Sequence, residues 1–149
     1  MISLPWMRLV LDTDVMVAAL RSQTGASRQL VQSALNRQFE MLVSVAMMLE
    51  YEAVLTRPEN LRAAGVSAGD MGIVLDAIGL VLTPVRIPFI WRPQLRDPND
   101  EMVLETAVNG QADVLVTFNL KHLAAAARRF GIRTCRPGNI WREIRGKQL

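Results

Sequence analysis

Four short apolar runs punctuate the chain: Arg8-Leu9-Val10-Leu11, Glu40-Met41-Leu42-Val43, Asp113-Val114-Leu115-Val116-Thr117 and Ile132-Arg133-Thr134-Cys135. Between them, apolar residues recur at helical spacing. Continuous runs of this kind are strands covered on both faces, and strands joined through helices pair in parallel. The fold class expected is therefore α/β, a central parallel sheet with helices on both faces. In such sheets the ligand site forms beyond the carboxyl ends of the strands. Asp12 and Thr117 both stand at such ends.

The connections carry helix punctuation. Asp12-Thr13 turns the first strand into a short helix over 15–20. Ser27 is the expected cap of a helix reaching residue 36, with Leu30, Val31, Ala34 and Leu35 as its apolar stripe. Ser44 caps a helix over 45–56 that Pro58 stops, residues 60–65 form a short helical or irregular piece, and Ser67 caps a helix over 68–80. Pro84, Pro88 and Pro93 then mark a surface connection or an edge strand, because proline cannot donate to a central ladder. Asp97-Pro98 is a helix start, an N-cap acid followed by proline at the first helical position, and Asn109-Gly110 ends that helix. A helix over 120–130 closes at Gly131, and a last one spans 137–144.

Composition narrows the setting. With 149 residues, half of them hydrophobic and 21% charged, the chain reads as one domain over residues 1–149 with a substantial core. It has no run of about 18 uncharged apolar residues, so no membrane span is expected. The segment Met1 to Met7 lacks the layout of a secretory signal. The lone Cys135 excludes an intramolecular disulfide and suits a reducing cytoplasm; it reads as a packed strand residue rather than a nucleophile. The net charge of +3 divides unevenly, −4 over the first 120 residues and +7 over the last 29. A basic segment beside an acidic body suits phosphate binding next to a cation-holding cluster, or else is a solvated helix face.

A carboxylate at the tip of a buried strand is costly unless a cation or donor meets it. Asp12 is in that position, either as a helix N-cap or as a metal ligand, and Asp14 can share the capping. Glu50 and Glu52 lie in a helix that is apolar nearly all round, so at least one is expected to project inward with a partner; periodicity does not choose between them. Asp97 is the better N-cap. Asp100 heads the stripe Val103, Leu104, Ala107 and Val108, and faces the core side at the end nearest the strand tips. Asn119 either caps the helix that follows or offers a neutral oxygen to metal-bound water. His122, the only histidine, cannot build a zinc site and reads as a surface residue. There is no glycine-rich phosphate loop and no Ser or Cys with a matching base.

Taken in order, Leu11-Asp12-Thr13-Asp14-Val15, Leu49-Glu50-Tyr51-Glu52-Ala53-Val54-Leu55, Arg96-Asp97-Pro98-Asn99-Asp100 and Val116-Thr117-Phe118-Asn119 resemble the PIN-domain family, most nearly its VapC-type toxin branch. The resemblance implies a three-layer α/β/α fold and Mg²⁺- or Mn²⁺-dependent cleavage of RNA. It also implies a cognate antitoxin protein as partner. By the same resemblance the metal ligands are Asp12, Glu50 and Asp100, with Thr117 and Asn119 completing the catalytic set around the water shell. The chain departs from the family pattern twice: it has Asp14 where Asn or Ser is usual, and Asn119 where an acid is usual.

The activity expected on this basis is endonucleolytic hydrolysis of single-stranded RNA, with Arg128, Arg129, Arg133 and Arg136 guiding the backbone. A homodimer is expected, and Trp6, Phe89, Trp91 and Trp141 are candidates for a dimer face or an antitoxin groove. The alternatives are a catalytically silent PIN fold that binds RNA or protein, supported by Asn119, and a haloacid-dehalogenase-like phosphatase, suggested by Asp12-Thr13-Asp14. Against the phosphatase, Met16 stands where that pattern prefers Thr or Val, and the Glu50 helix would have no role.

Overall fold

The computed structural model describes residues 7–88, 95 and 97–147. Within them, β1 (Arg8–Leu11) leads into α1 (Thr13–Arg21) and α2 (Ala26–Leu35), and β2 (Glu40–Ser44) into α3 (Val45–Leu55), α4 (Pro58–Ala64) and α5 (Ala68–Val81). Then follow β3 (Thr83–Val85), α6 (Pro98–Asn109), β4 (Val114–Val116), α7 (Leu120–Arg129), β5 (Arg133–Cys135) and α8 (Pro137–Lys147). The five strands form one parallel sheet in the order β3-β2-β1-β4-β5.

That order fixes the layers. The chain steps outward from β1 to β3, then returns past β1 to β4 and β5. With right-handed crossovers, the helices of the two directions fall on opposite faces of the sheet. On one side α1 packs against α2, α3 and α4, while α2 reaches α5 and α8; on the other, α6 packs against α7. The result is the expected three-layer α/β/α arrangement. Leu9, Val10, Leu11, Leu42 and Leu115 are completely buried, as strands covered on both faces require.

Several boundaries differ from the sequence reading, each for a local reason. Gly25, not Ser27, is the N-cap of α2, and Ser27 is buried within the first turn. Helix α4 begins at Pro58, whose missing N–H costs nothing at a first helical position. Pro84 lies in β3 opposite Val43, and β3 is an edge strand, where a residue without a donor is tolerated. Pro93, Trp6, Phe89 and Trp91 lie outside the described residues. Trp141 is partly buried and packs against the core. Among the described residues no single helix is long and apolar enough to cross a membrane.

Helix α3 departs most. Its buried stripe is Met47, Tyr51, Val54 and Leu55, while Val45 and Leu49 are 77% and 60% exposed, so a helix apolar nearly all round meets the core on one side only. Glu52 is exposed and Glu50 half-buried. Tyr51, between them, takes the inward place, and its hydroxyl donates to the Leu11 carbonyl at the end of β1.

Gly110, at the end of α6, sits where a side chain has no room. A Cβ there would stand 2.9 Å from the Thr106 carbonyl oxygen and 2.9 Å from a Val85 methyl, while the Gly110 carbonyl accepts from the Arg8 guanidinium at 2.8 Å. Gly110→Ala is expected to destabilise the fold by about 1–3 kcal/mol through overpacking. Urea unfolding checks this, and a midpoint equal to wild type would contradict it.

Candidate metal centre

Strands β1 and β4 are neighbours in the sheet, yet the connections leaving them run in opposite directions. The crevice between their carboxyl ends is therefore the topological switch point. Register aligns Leu11 with Val116 and Val116 with Cys135, so Asp12, Thr117 and Arg136 succeed one another along this edge. The Asp12 N–H donates to the Val116 carbonyl at 2.9 Å, extending the ladder to the first acid.

Asp12 is the N-cap of α1: its Oδ1 accepts from the Thr13 N–H at 2.7 Å. Capping does not exhaust it, because Oδ2 accepts from the Thr117 hydroxyl, also at 2.7 Å. Thr117 is completely buried, and its Oγ1 accepts the Asn119 N–H at 2.9 Å, which leaves its one proton to give away. The side chain of Asp14, one position further into α1 than Thr13, comes to the same place. Its Oδ2 accepts from the Phe118 N–H at 3.1 Å and lies 3.4 Å from Thr117 Oγ1. Its Oδ1 is shut off from solvent and has no hydrogen-bond partner.

The third acid arrives from the other face. Asp97 caps α6 by accepting from the Asn99 N–H at 2.9 Å, as its place before Pro98 predicts. Asp100, in the first turn, receives the Asn119 side-chain N–H₂ at 3.3 and 3.4 Å to its two oxygens. Asn119 is the N-cap of α7 by position but makes no side-chain cap bond; its amide is spent on Asp100.

Electrostatics bind these acids into one group. Burial, and next the charge of Asp14, push Asp12 up to about 6, with Asp100 adding to the rise against the Thr117 and Thr13 hydrogen bonds. Burial also raises Asp14, opposed by the Phe118 and Val15 amides and the Thr117 hydroxyl and reinforced by Asp100. Asp100 is raised by partial burial and by Asp97, with Asn119 and His122 pulling the other way.

The structure thus gathers Asp12, Asp14, Asp100, Thr117 and Asn119. Glu50 is half-buried and makes no hydrogen bond or ion pair among the described residues, and its charge is not among those that raise Asp12. Among the described residues no group of three or more His, Cys, Asp or Glu side chains is arranged to hold a metal ion. An open arrangement of this kind suits a hard cation that keeps several waters and takes only one or two carboxylates. The orphaned Asp14 oxygen and the mutual repulsion of buried acids are the observations that fit a cation here.

Sequence reasoning missed two supports, Tyr51 at the end of β1 and the Ser44 hydroxyl, which lies 2.7 Å from Thr106 Oγ1 and ties β2 to α6. Buried hydroxyls inside apolar stretches are the only signal for either. The four arginines separate. Arg128 and Arg129 end α7 and Arg133 opens β5, all at the opposite pole of the sheet, and Arg133 pairs with Glu143. Arg136, one residue beyond β5, is on the acid-bearing edge, as are Lys121 and His122 in the first turn of α7.

A comparison with curated protein sequences gives no significant match. Among solved structures, the chain superposes on the crystal structure of VapBC2 from Rickettsia felis bound to a DNA fragment from their promoter. The TM-score is 0.59 at 13% sequence identity, over 87% of this chain and 98% of that one, a likeness of fold. A family model for the PIN domain matches residues 8–121, a span that contains Asp12, Glu50, Asp100, Thr117 and Asn119, and this chain belongs to the PIN-domain family.

Proposed function

We propose that this protein is a divalent-metal-dependent endoribonuclease that hydrolyses single-stranded RNA and serves as the toxin of a toxin–antitoxin pair. The observation that carries the reading is the meeting of Asp12 and Asp100, from opposite faces of the sheet, around Thr117 at the switch point. PIN-domain membership takes the place of the haloacid-dehalogenase-like alternative.

Asp12 and Asp100 are the residues that would hold Mg²⁺ or Mn²⁺. Glu50, half-buried and without a protein partner among the described residues, is the further ligand that the family resemblance assigns. When bound, such an ion supplies Lewis acidity to the scissile phosphodiester and to the attacking water. The protein's own part is orientation. Thr117 fixes one oxygen of Asp12, the Thr13 amide fixes the other, and Asn119 steadies Asp100. Arg136 and Lys121 supply positive charge on the same edge for the RNA backbone, which makes binding weaken as salt rises.

An antitoxin partner is supported by two features. A structural neighbour is VapBC2, and α5 and α3 each carry exposed apolar residues, Ile73 and Leu80 at 70% and 79% on the former and Val45 and Leu49 on the latter. Apolar faces of this kind on two helices suit contact with a second protein, whether antitoxin or a second copy in a homodimer.

Asp12→Asn and Asp100→Asn are each expected to abolish metal-dependent RNA cleavage while the circular dichroism spectrum stays that of wild type. Thr117→Val, which removes only the orienting hydroxyl, should cost about 10- to 100-fold. Full activity of either Asn variant in a metal-titrated assay would refute the site, and Mn²⁺ binding with no cleavage of any RNA would favour a silent binding module.

The pH dependence has a definite sign. Asp12 protonates near 6 in the folded chain, above its unfolded value, so the fold takes up protons between roughly pH 4 and 6. The metal-free protein therefore loses this stability as pH rises through that window, and ligation, which requires the carboxylate, weakens as pH falls below about 6. Calorimetric titrations of Mn²⁺ at several pH values, with wild type compared against Asp12→Asn, should show the loss below pH 6 in wild type. Affinity independent of pH between 5 and 7 would contradict it.

A further inference from the structure

We infer that Asp14 is a further metal ligand of this centre, so that the strand tip Asp12-Thr13-Asp14 delivers two carboxylates to one cation. The inference rests on the metal-centre reading above and extends it to a residue that reading does not use.

An acid at the second position of a helix has an ordinary role, stabilising the positive end of the helix dipole from the solvent side. Asp14 does not point that way. It reaches the β4–α7 connection, more than 100 residues along the chain, and accepts from the Phe118 N–H at 3.1 Å. Thr117 has one hydroxyl proton, and two carboxylates compete for it: Asp12 at 2.7 Å and Asp14 at 3.4 Å. The shorter contact takes the proton, which leaves Asp14 Oδ2 with the Phe118 amide alone. Asp14 Oδ1 is shut off from solvent and makes no hydrogen bond: the Val15 N–H is near enough to favour the charged carboxylate, but its hydrogen bond goes to the Asp12 carbonyl at 3.0 Å. A carboxylate oxygen removed from water and given no hydrogen bond, beside a second buried carboxylate, is compensated by a cation.

Asn119 supplies the complementary half of the argument. Its side chain adds no negative charge and turns its N–H₂ group toward Asp100. The negative charge that balances a divalent ion on the β1 side of the crevice therefore comes from Asp12 and Asp14 together. In this chain the acid beside Thr117 and Phe118 comes from the start of α1 instead of the start of α7.

The test is Mn²⁺ titration of the full chain by calorimetry at neutral pH, on wild type, Asp12→Asn, Asp14→Asn and Asp14→Ser. Melting temperatures are measured with and without Mn²⁺. Both Asp14 variants should bind Mn²⁺ on the order of tenfold or more weakly than wild type, since affinity follows ligand charge count. Without metal they should melt no lower than wild type, because a half-buried charge beside Asp12 has been removed; with saturating Mn²⁺ wild type should melt higher. A structural first-turn acid would instead lower the melting temperature in both conditions with Mn²⁺ affinity unchanged, and that result overturns the inference. If both Asp14 variants bind Mn²⁺ as tightly as wild type while Asp12→Asn does not, Asp14 is excluded and the centre stands. If wild type binds no Mn²⁺, the centre itself fails and the inference with it.

Discussion

The hydrogen bond from the Thr117 hydroxyl to the Asp12 carboxylate joins the tips of the two strands between which the chain reverses direction. Every other feature of the crevice is referred to it. The Thr117 oxygen is loaded by the Asn119 amide, which sets the start of α7, and Asn119 in turn reaches Asp100 at the start of α6. On the β1 side, Asp12 starts α1 and the Tyr51 hydroxyl holds the preceding carbonyl. One buried hydroxyl thus sets the relative positions of three helix N-termini, whose dipoles all favour negative charge at this edge.

That favourable field is not sufficient compensation. Asp12 is driven up to about 6 by burial and by its neighbours in spite of three helix ends and two hydrogen bonds. The charges of Asp14 and Asp100 both oppose ionisation of Asp12. Such local frustration is characteristic of sites where ligand binding, not folding, sets the side-chain choice. Contacts away from the acids hold the frame: the buried Ser44–Thr106 hydroxyl pair, and the bond from the Arg8 guanidinium to the Gly110 carbonyl at the far end of α6.

The centre of the sheet was legible because β1, β2 and β4 are buried almost throughout and so read as continuous apolar runs. The helix starts at Ser44, Ser67, Asp97 and Asn119 were legible from their side-chain type, although Asn119 spends its side chain elsewhere. Of the acids, Asp12 was placed at the carboxyl edge by its position at a strand end, and Asp100 near it by helix phase. Helix α3 was not readable, because it is apolar all round while only one stripe meets the core; period cannot choose among faces that all look alike. For the same reason the sequence could not choose between Glu50 and Glu52, nor foresee that Tyr51 takes the inward place. Asp14 looked like a second cap, since nothing in the local pattern reveals a contact with Phe118 more than 100 residues away.

The most direct test of the centre is an anomalous difference map from crystals grown with Mn²⁺ and measured near the manganese edge. A peak within coordination distance of the Asp12 and Asp100 carboxylates, in the crevice between β1 and β4, is the predicted result. A chain fully ordered at that edge with no peak there, or with manganese bound only at another surface, would contradict it.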